Sequence, residues 1–223
     1  NMNTRKLQHG AKNGVPGRQQ KDTQTSDHGV HALRLKMLPA LLASSFGVAG
    51  LLLPGMVLAN PQGGQVVAGQ ATFNQQGNLL TITNTPNAII NWQNFSINAN
   101  EITRFLQQNG DSAVLNRIIG QNQSQILGAL QSNGKVFLLN PNGILFGRGS
   151  QVNVNGLVAS SLNLSDQDFL SGKRHFVGNA NGGSVKNEGT ITAGKGGQIY
   201  LIAPNVENSG IISSANGDVV LAA

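Results

Sequence analysis

V-K-N-E-G-T-I-T at residues 185–192 returns as V-E-N-S-G-I-I-S at 206–213, and G-Q-I-Y-L-I-A at 197–203 returns as G-D-V-V-L-A-A at 217–223. The offsets are 21 and 20 residues. A unit of that length, made of two or three short strands and tight turns, is the signature of a β-solenoid coil. One coil cannot bury its own apolar face, so coils must stack. Stacking places Val185 over Val206, Ile191 over Ile212 and Ile199 over Val219, and lets Asn187 and Asn208 form a side-chain amide ladder. The apolar stretch 219–223 carries no polar cap, so the array is expected to continue past residue 223.

Upstream of the repeat, short apolar runs alternate with turn signals. Strands are expected within 65–73, after which 74–78 turns the chain into L-L-T-I-T, and then at 88–92, 95–97, 102–106, 114–119, 126–130 and 136–139. The last of these, the most apolar, runs into N-P-N-G-I-L-F at 140–146. Pro141 fixes φ near the value wanted at the second position of a turn, and Asn142-Gly143 supplies residues that tolerate positive φ. A tight turn is expected there, where irregular capping strands give way to regular coils. Further short strands follow at 144–146, 152–154 and 157–160. Only 165–170 reads as briefly helical, with Ser165 as its cap and Asp168 three residues on.

The formal charge of +6 is concentrated at the front of the chain. Residues 1–59 hold seven Lys and Arg against Asp22 and Asp27, a net +5, whereas 60–223 hold eight basic and seven acidic residues, a net +1. The body has one Trp, one Tyr and scattered Arg, which is not the basic, aromatic-studded footprint of a nucleic-acid binder.

The front reads as a secretory signal with a long basic region ending at Arg34 and Lys36, an apolar run at 37–58, and small residues at Val57 and Ala59. Cleavage between Ala59 and Asn60 is expected, with translation starting at Met2 or Met37. A membrane anchor is the competing reading of 37–58. Pro39, Gly47, Gly50, Pro54 and Gly55 interrupt that run and count against it, so no transmembrane span is expected after cleavage. The remaining 164 residues suffice for one domain, 60–223, and the lack of Cys suits export to an oxidising space.

Little in the body suggests chemistry. His175 is its one histidine, beside Lys173 and Arg174, and no Cys or clustered carboxylate completes a metal set. Asp166 and Asp168 could form a general acid and base pair, but helix capping accounts for them more simply. G-T-I-T-A-G-K-G at 189–196 imitates a phosphate loop, yet Gly196 stands where Ser or Thr must hold Mg²⁺ and the stretch lies in a strand repeat. The glycosylation-like triplets at 94–96, 122–124 and 163–165 are expected by chance in so Asn-rich a chain. Neither catalysis nor a cofactor is expected.

Four stretches in order carry a family resemblance: A-I-I-N-W-Q-N-F-S-I at 88–97, S-A-V-L-N-R at 112–117, S-N-G-K-V-F-L-L-N-P-N-G-I-L-F-G at 132–147 and G-L-V-A-S-S-L-N-L-S at 156–165. Together they resemble the filamentous haemagglutinin family, and more narrowly the amino-terminal secretion domain of two-partner secretion exoproteins, in the branch similar to high-molecular-weight adhesins. The likeness extends over about 60–223. It implies an all-β fold, a right-handed parallel β-helix with an amino-terminal cap and strands outside the helix. It also implies a route across a Gram-negative envelope: export by the Sec machinery, recognition in the periplasm by the POTRA domains of an outer-membrane β-barrel transporter, and folding at the cell surface.

By match to the family motifs, Asn140, Pro141, Asn142 and Gly143 carry over as the signature turn for transporter recognition. Asn91, Trp92 and Phe95, with Asn116 and Arg117, are secondary elements. The second family motif, N-P-N-L, is missing. The parent protein is expected to be a surface adhesin or haemagglutinin that meets host-cell receptors through its part beyond residue 223. The same secretion domain on a haemolysin or contact-dependent toxin is the alternative, and a β-helix enzyme acting on polysaccharides the remote one.

Overall fold

The computed structural model describes residues 60–178 and 181–223. The signal peptide expected at 1–59, with Ala59 of its cleavage site, lies outside the described residues. Two strands, β1 (Gln65–Ala68) and β2 (Ala71–Gln76), open the fold, and the chain then winds into stacked three-sided coils. The first coil holds β3 (Leu79–Asn84), β4 (Ala88–Trp92) and the irregular residues 94–97. The second holds β5 (Ile102–Leu106), β6 (Ala113–Ile118) and β7 (Ser124–Ile126), and the third β8 (Ala129–Ser132), β9 (Lys135–Leu139) and β10 (Ile144–Phe146).

In the fourth coil, β11 (Gln151–Val154) and β12 (Gly156–Ser160) are followed by an excursion: β13 (Asn163–Leu164), the short helix α1 (Asp166–Leu170) and β14 (Phe176–Val177). The chain returns at β15 (Val185–Asn187). It continues through β16 (Thr190–Ala193), β17 (Ile199–Ile202) and β18 (Val206–Asn208), then β19 (Ile211–Ser214) and β20 (Val219–Ala222).

Corresponding strands of successive coils pair in parallel, giving a β-solenoid of about six turns with two seven-stranded sheets and one four-stranded sheet. The repeat sets the register: Val185 lies opposite Val206, Ile191 opposite Ile212 and Ile199 opposite Val219. The amide ladder forms as well. Asn187, fully buried, donates from Nδ2 to Oδ1 of Asn208 at 2.8 Å and accepts from the Gly189 N–H at 3.1 Å. Interior residues stack in columns that are mostly apolar, for example Ala88, Val114, Val136, Leu157 and Ile199.

At the front of the stack only β1 and β2 run antiparallel, against β4 and β3. They close the first coil, and Phe73 of β2 lies edge-on to Trp92 at 5.4 Å. Asn60, the first described residue, is buried at this end; its Oδ1 accepts from the Thr103 hydroxyl at 3.0 Å and its Nδ2 donates to the Asn78 carbonyl at 3.3 Å. At the other end the last coil exposes Ile211, Val219, Val220 and Leu221.

Several local expectations need correction. Residues 126–130 are not one strand: β7 and β8 lie in different sheets, and the chain bends between them at Gly128, where a Cβ would collide with the carbonyl oxygens of Asn98 and Glu101. Residues 95–97 are not a strand either. There Ile97 makes a single bridge to Ile126 while Phe95 fills the core. The turn expected at 74–78 is shorter, because β2 runs on to Gln76 against Leu79. Regular parallel stacking begins at β3, not at residue 140.

The run of apolar residues in β9 has a topological cause. Val136 and Leu138 face the interior, while Phe137 and Leu139 join a second cluster on the outside of the sheet with Ile89, Leu115, Val158, Leu164 and Phe169. The excursion after β12 covers that outer face, Phe169 packing edge-on against Phe137 at 5.2 Å. A strand buried on both faces reads as a continuous apolar run rather than an alternation.

Candidate functional site

The N-P-N-G turn is the corner that carries the third coil from β9 to β10. The Gly143 N–H donates to the Asn140 carbonyl at 2.9 Å, closing a four-residue turn. Asn at the first position, Pro at the second and Gly at the fourth match the preferences of a type I turn. Gly143 has φ +99°, and a Cβ there would lie 2.7 Å from the Ser184 carbonyl oxygen. Asn142 is not among the residues with positive φ, so its tolerance of that region is not why it is here. Its amide instead donates to the Gly120 carbonyl at 2.9 Å.

Asn140 is the anchor of the corner. Fully buried, it donates from Nδ2 to the Asn122 carbonyl at 2.9 Å and to the Ser124 hydroxyl at 3.0 Å, and its Oδ1 accepts from the Asn142 N–H at 2.9 Å. The preceding coil's corner therefore supports the turn from one side. From the other, Gly183 N–H donates to the Pro141 carbonyl at 2.8 Å and Ile144 N–H to that of Ser184 at 2.9 Å. Of the four motif residues, Pro141 and Asn142 are exposed and Asn140 and Gly143 are buried.

The secondary elements divide between the two faces of one sheet. Trp92 and Asn116 point inward, where the indole N–H donates to Asn116 Oδ1 at 2.9 Å in a buried hydrogen bond. Phe95 lies edge-on to Trp92 at 5.6 Å and stacks on Phe105 at 6.4 Å. Asn91 and Arg117 sit opposite each other on adjacent strands and outside. Arg117 pairs with Asp166 at 2.7 Å and donates to the Leu164 carbonyl at 2.8 Å, with Asn91 Oδ1 at 3.5 Å. Arg117 thus ties the excursion to the solenoid, a partnership that residues 47 and 49 positions apart do not announce in a sequence.

Replacing Arg117 with Met strands the Leu164 carbonyl and frees Asp166. Because Asp166 is partly exposed, the expected cost is about 1–2 kcal/mol. Hydrogen exchange checks this, with faster amide exchange expected in 163–178 and little change in β15–β17.

The carboxylates weighed as an acid and base pair have other partners. Asp166 holds Arg117, and Asp168 completes the cap that Ser165 places on α1, its N–H donating to Ser165 Oγ at 3.1 Å while Oδ2 accepts from the same hydroxyl at 2.9 Å. His175 lies exposed with Nδ1 3.7 Å from Asp168. No metal-ligating cluster occurs among the described residues, and no helix among them is long and apolar enough to cross a membrane.

Residues 58–223 match the family model for the TPS (two-partner secretion) secretion domain. The chain belongs to the TPS secretion domain family. It carries the secretion domain of a two-partner secretion exoprotein, which implies secretion and a transporter as the second partner. The TPS chain is 38% identical to a heme/hemopexin-binding protein of Haemophilus influenzae, the match covering 63% of this chain, and 35% identical to a second protein of that name from the same species over 58% of it. These matches span 19% and 14% of the two relatives' lengths. Among solved structures it resembles the HMW1 secretion domain from Haemophilus influenzae, with TM-score 0.72 and 42% identity over 74% of this chain and 45% of that one.

Proposed function

We propose that this TPS domain targets its parent exoprotein to the POTRA domains of an outer-membrane β-barrel transporter and nucleates β-solenoid folding once outside. The observation that carries the reading is the asymmetry of the stack: β1 and β2 close one end antiparallel over an aromatic core, and every later coil pairs in parallel with its neighbours. An end so closed can form first, after which coils add one at a time, each burying apolar surface on the last. Before folding, the same segments are extended and unpaired, and a POTRA sheet edge can bind them by strand addition, with main-chain hydrogen bonds for affinity and alternate side chains for specificity. In this reading residues 1–59 are a Sec signal removed after Ala59, the domain has no catalytic role, and N-P-N-G with its neighbours serves recognition through the geometry it imposes.

The test is co-expression with the genetically linked transporter. Secretion is expected to vanish when the POTRA domains are deleted, and Ile191→Asp, which puts a charge at a fully buried position between Val152 and Ile212, is expected to cut secretion at least about tenfold. Undiminished secretion of that variant would remove folding as the driving force. For the parent protein, a surface adhesin or haemagglutinin is our first reading. The heme/hemopexin-binding relatives favour a second, a secreted heme- or hemopexin-binding protein, which heme titration of the full-length secreted parent distinguishes.

A further inference from the structure

On the outer face of the sheet containing β9, β12 and β17, beside the excursion, lies a cavity of about 350 Å³. That is within the range of small-molecule sites, about 300–1,000 Å³. Its hollow exists because Gly156, which lies opposite Lys135 in the ladder, presents no side chain between Lys135 and Gln198. Phe137 and Tyr200 line one side, and Lys135, Arg174, Lys195 and Asp111 are the charged groups around it.

The charges do not balance: three cations meet one carboxylate. Lys135 spends its charge on Asp111 at 3.2 Å, whereas Arg174 and Lys195 have no acidic partner among the described residues. Arg174 lies over the Phe137 ring, 4.6 Å from its centroid, and its one hydrogen bond there is to the neighbouring Lys173 carbonyl at 3.2 Å. Partial burial lowers its pKa from the ordinary value. A cation held against an aromatic face, partly desolvated and without a counter-ion, favours an incoming anion.

We infer that this cleft is a binding site for a hexuronic acid, the carboxylate lying between Arg174 and Lys195 and the pyranose ring against Tyr200, with Asp111 accepting hydrogen bonds from its hydroxyls. A guanidinium forks two parallel hydrogen bonds onto a carboxylate, and an aromatic side chain offers an apolar face and a polar tip to a sugar ring. The ring size suits the cavity, and Asp111, whose Oδ1 is paired with Lys135, keeps its other oxygen to accept hydrogen bonds from ligand hydroxyls. The site is independent of the transporter-facing reading, since neither the N-P-N-G corner nor the cap contributes to it.

The experiment titrates the isotope-labelled full chain with glucuronate, glucose and inorganic phosphate, following amide resonances by NMR. Glucuronate is expected to shift Gly196, Gly197 and Tyr200 saturably, while glucose leaves them in place and phosphate competes poorly. Arg174→Gln, which also gives up the contact with the Phe137 ring, and Lys195→Gln are each expected to weaken glucuronate at least about tenfold, with the rest of the spectrum unchanged and only a small drop in the thermal midpoint for the first. A uronate oligomer binding more tightly than the monomer would place the unit within a polysaccharide, and equal affinity would assign the free acid. Absence of shifts, equal shifts with glucose, equal binding of phosphate, or glucuronate binding that survives both substitutions overturns the assignment.

Discussion

Asn140→Ala is expected to lower folding stability by about 3 kcal/mol and secretion with it, because the side chain is a buried bracket between two coil corners. Its loss leaves the Asn122 carbonyl and the Ser124 hydroxyl without their donor and the Asn142 N–H without its acceptor. A buried polar group deprived of its partner costs about 1–3 kcal/mol, and the exposure of Asn142 lets water replace the third bond. Asn142→Ala removes an exposed hydrogen bond to the Gly120 carbonyl and a second at 3.1 Å to Asn140 Oδ1, which keeps the Asn142 N–H as a donor, so the expected cost is about 1 kcal/mol. Denaturant unfolding of the two variants, read beside their secretion, separates geometry from contact. If Asn142→Ala blocks secretion while leaving stability intact, the exposed half of the motif touches the transporter and the geometric account of the turn fails.

Trp92→Ala carries the larger stability penalty, about 4 kcal/mol, since it empties the centre of the aromatic chain from Phe73 through Phe95 to Phe105. Part of that cost belongs to one hydrogen bond, which Trp92→Phe isolates by leaving Asn116 Oδ1 unpartnered in the core at about 1–3 kcal/mol. Adding Asn116→Leu to Trp92→Phe removes both halves of the bond and is expected to recover much of the loss, because an apolar pair needs no partner. Failure of the double variant to recover would show that Asn116 acts through another contact, its 3.2 Å bond to the Phe137 carbonyl being the one available. Both variants alter the first coil, so slower refolding is expected beside lower stability if that coil nucleates the stack.

The readability of the two site elements differs for a physical reason. N-P-N-G is local, and its backbone role follows from residue types at consecutive positions, although positive φ belongs to Gly143 alone and the side chain of Asn142 serves the neighbouring coil. The pairing of Trp92 with Asn116 joins residues 24 positions apart on strands that stack at an offset of 26, so the winding of the coils brings the two motifs together, at an offset the 20–21-residue repeat does not give. Arg117 with Asp166 has no such period, because the excursion interrupts the winding, and neither residue type foretells it. One signal for the excursion was present: a strand as uniformly apolar as 136–139 must be covered on both faces, and a single-layered solenoid wall leaves its outer face to solvent unless something else lies over it.

The repeat at 185–213 determined by itself the parallel solenoid, its three stacked apolar columns and the Asn187–Asn208 ladder, because two successive coils of equal length put residue n over residue n + 20 or 21. Only the tertiary structure decided where the coils break register with the sequence: the bend at Gly128, the antiparallel cap formed by β1 and β2, and the excursion that seals one sheet and leaves the Arg174 cleft beside it. Those features depend on which carbonyl, ring or charge from a distant coil occupies the adjoining space. Periodicity fixes a column, but the close approach of non-repeating neighbours fixes its ends and its outer surface.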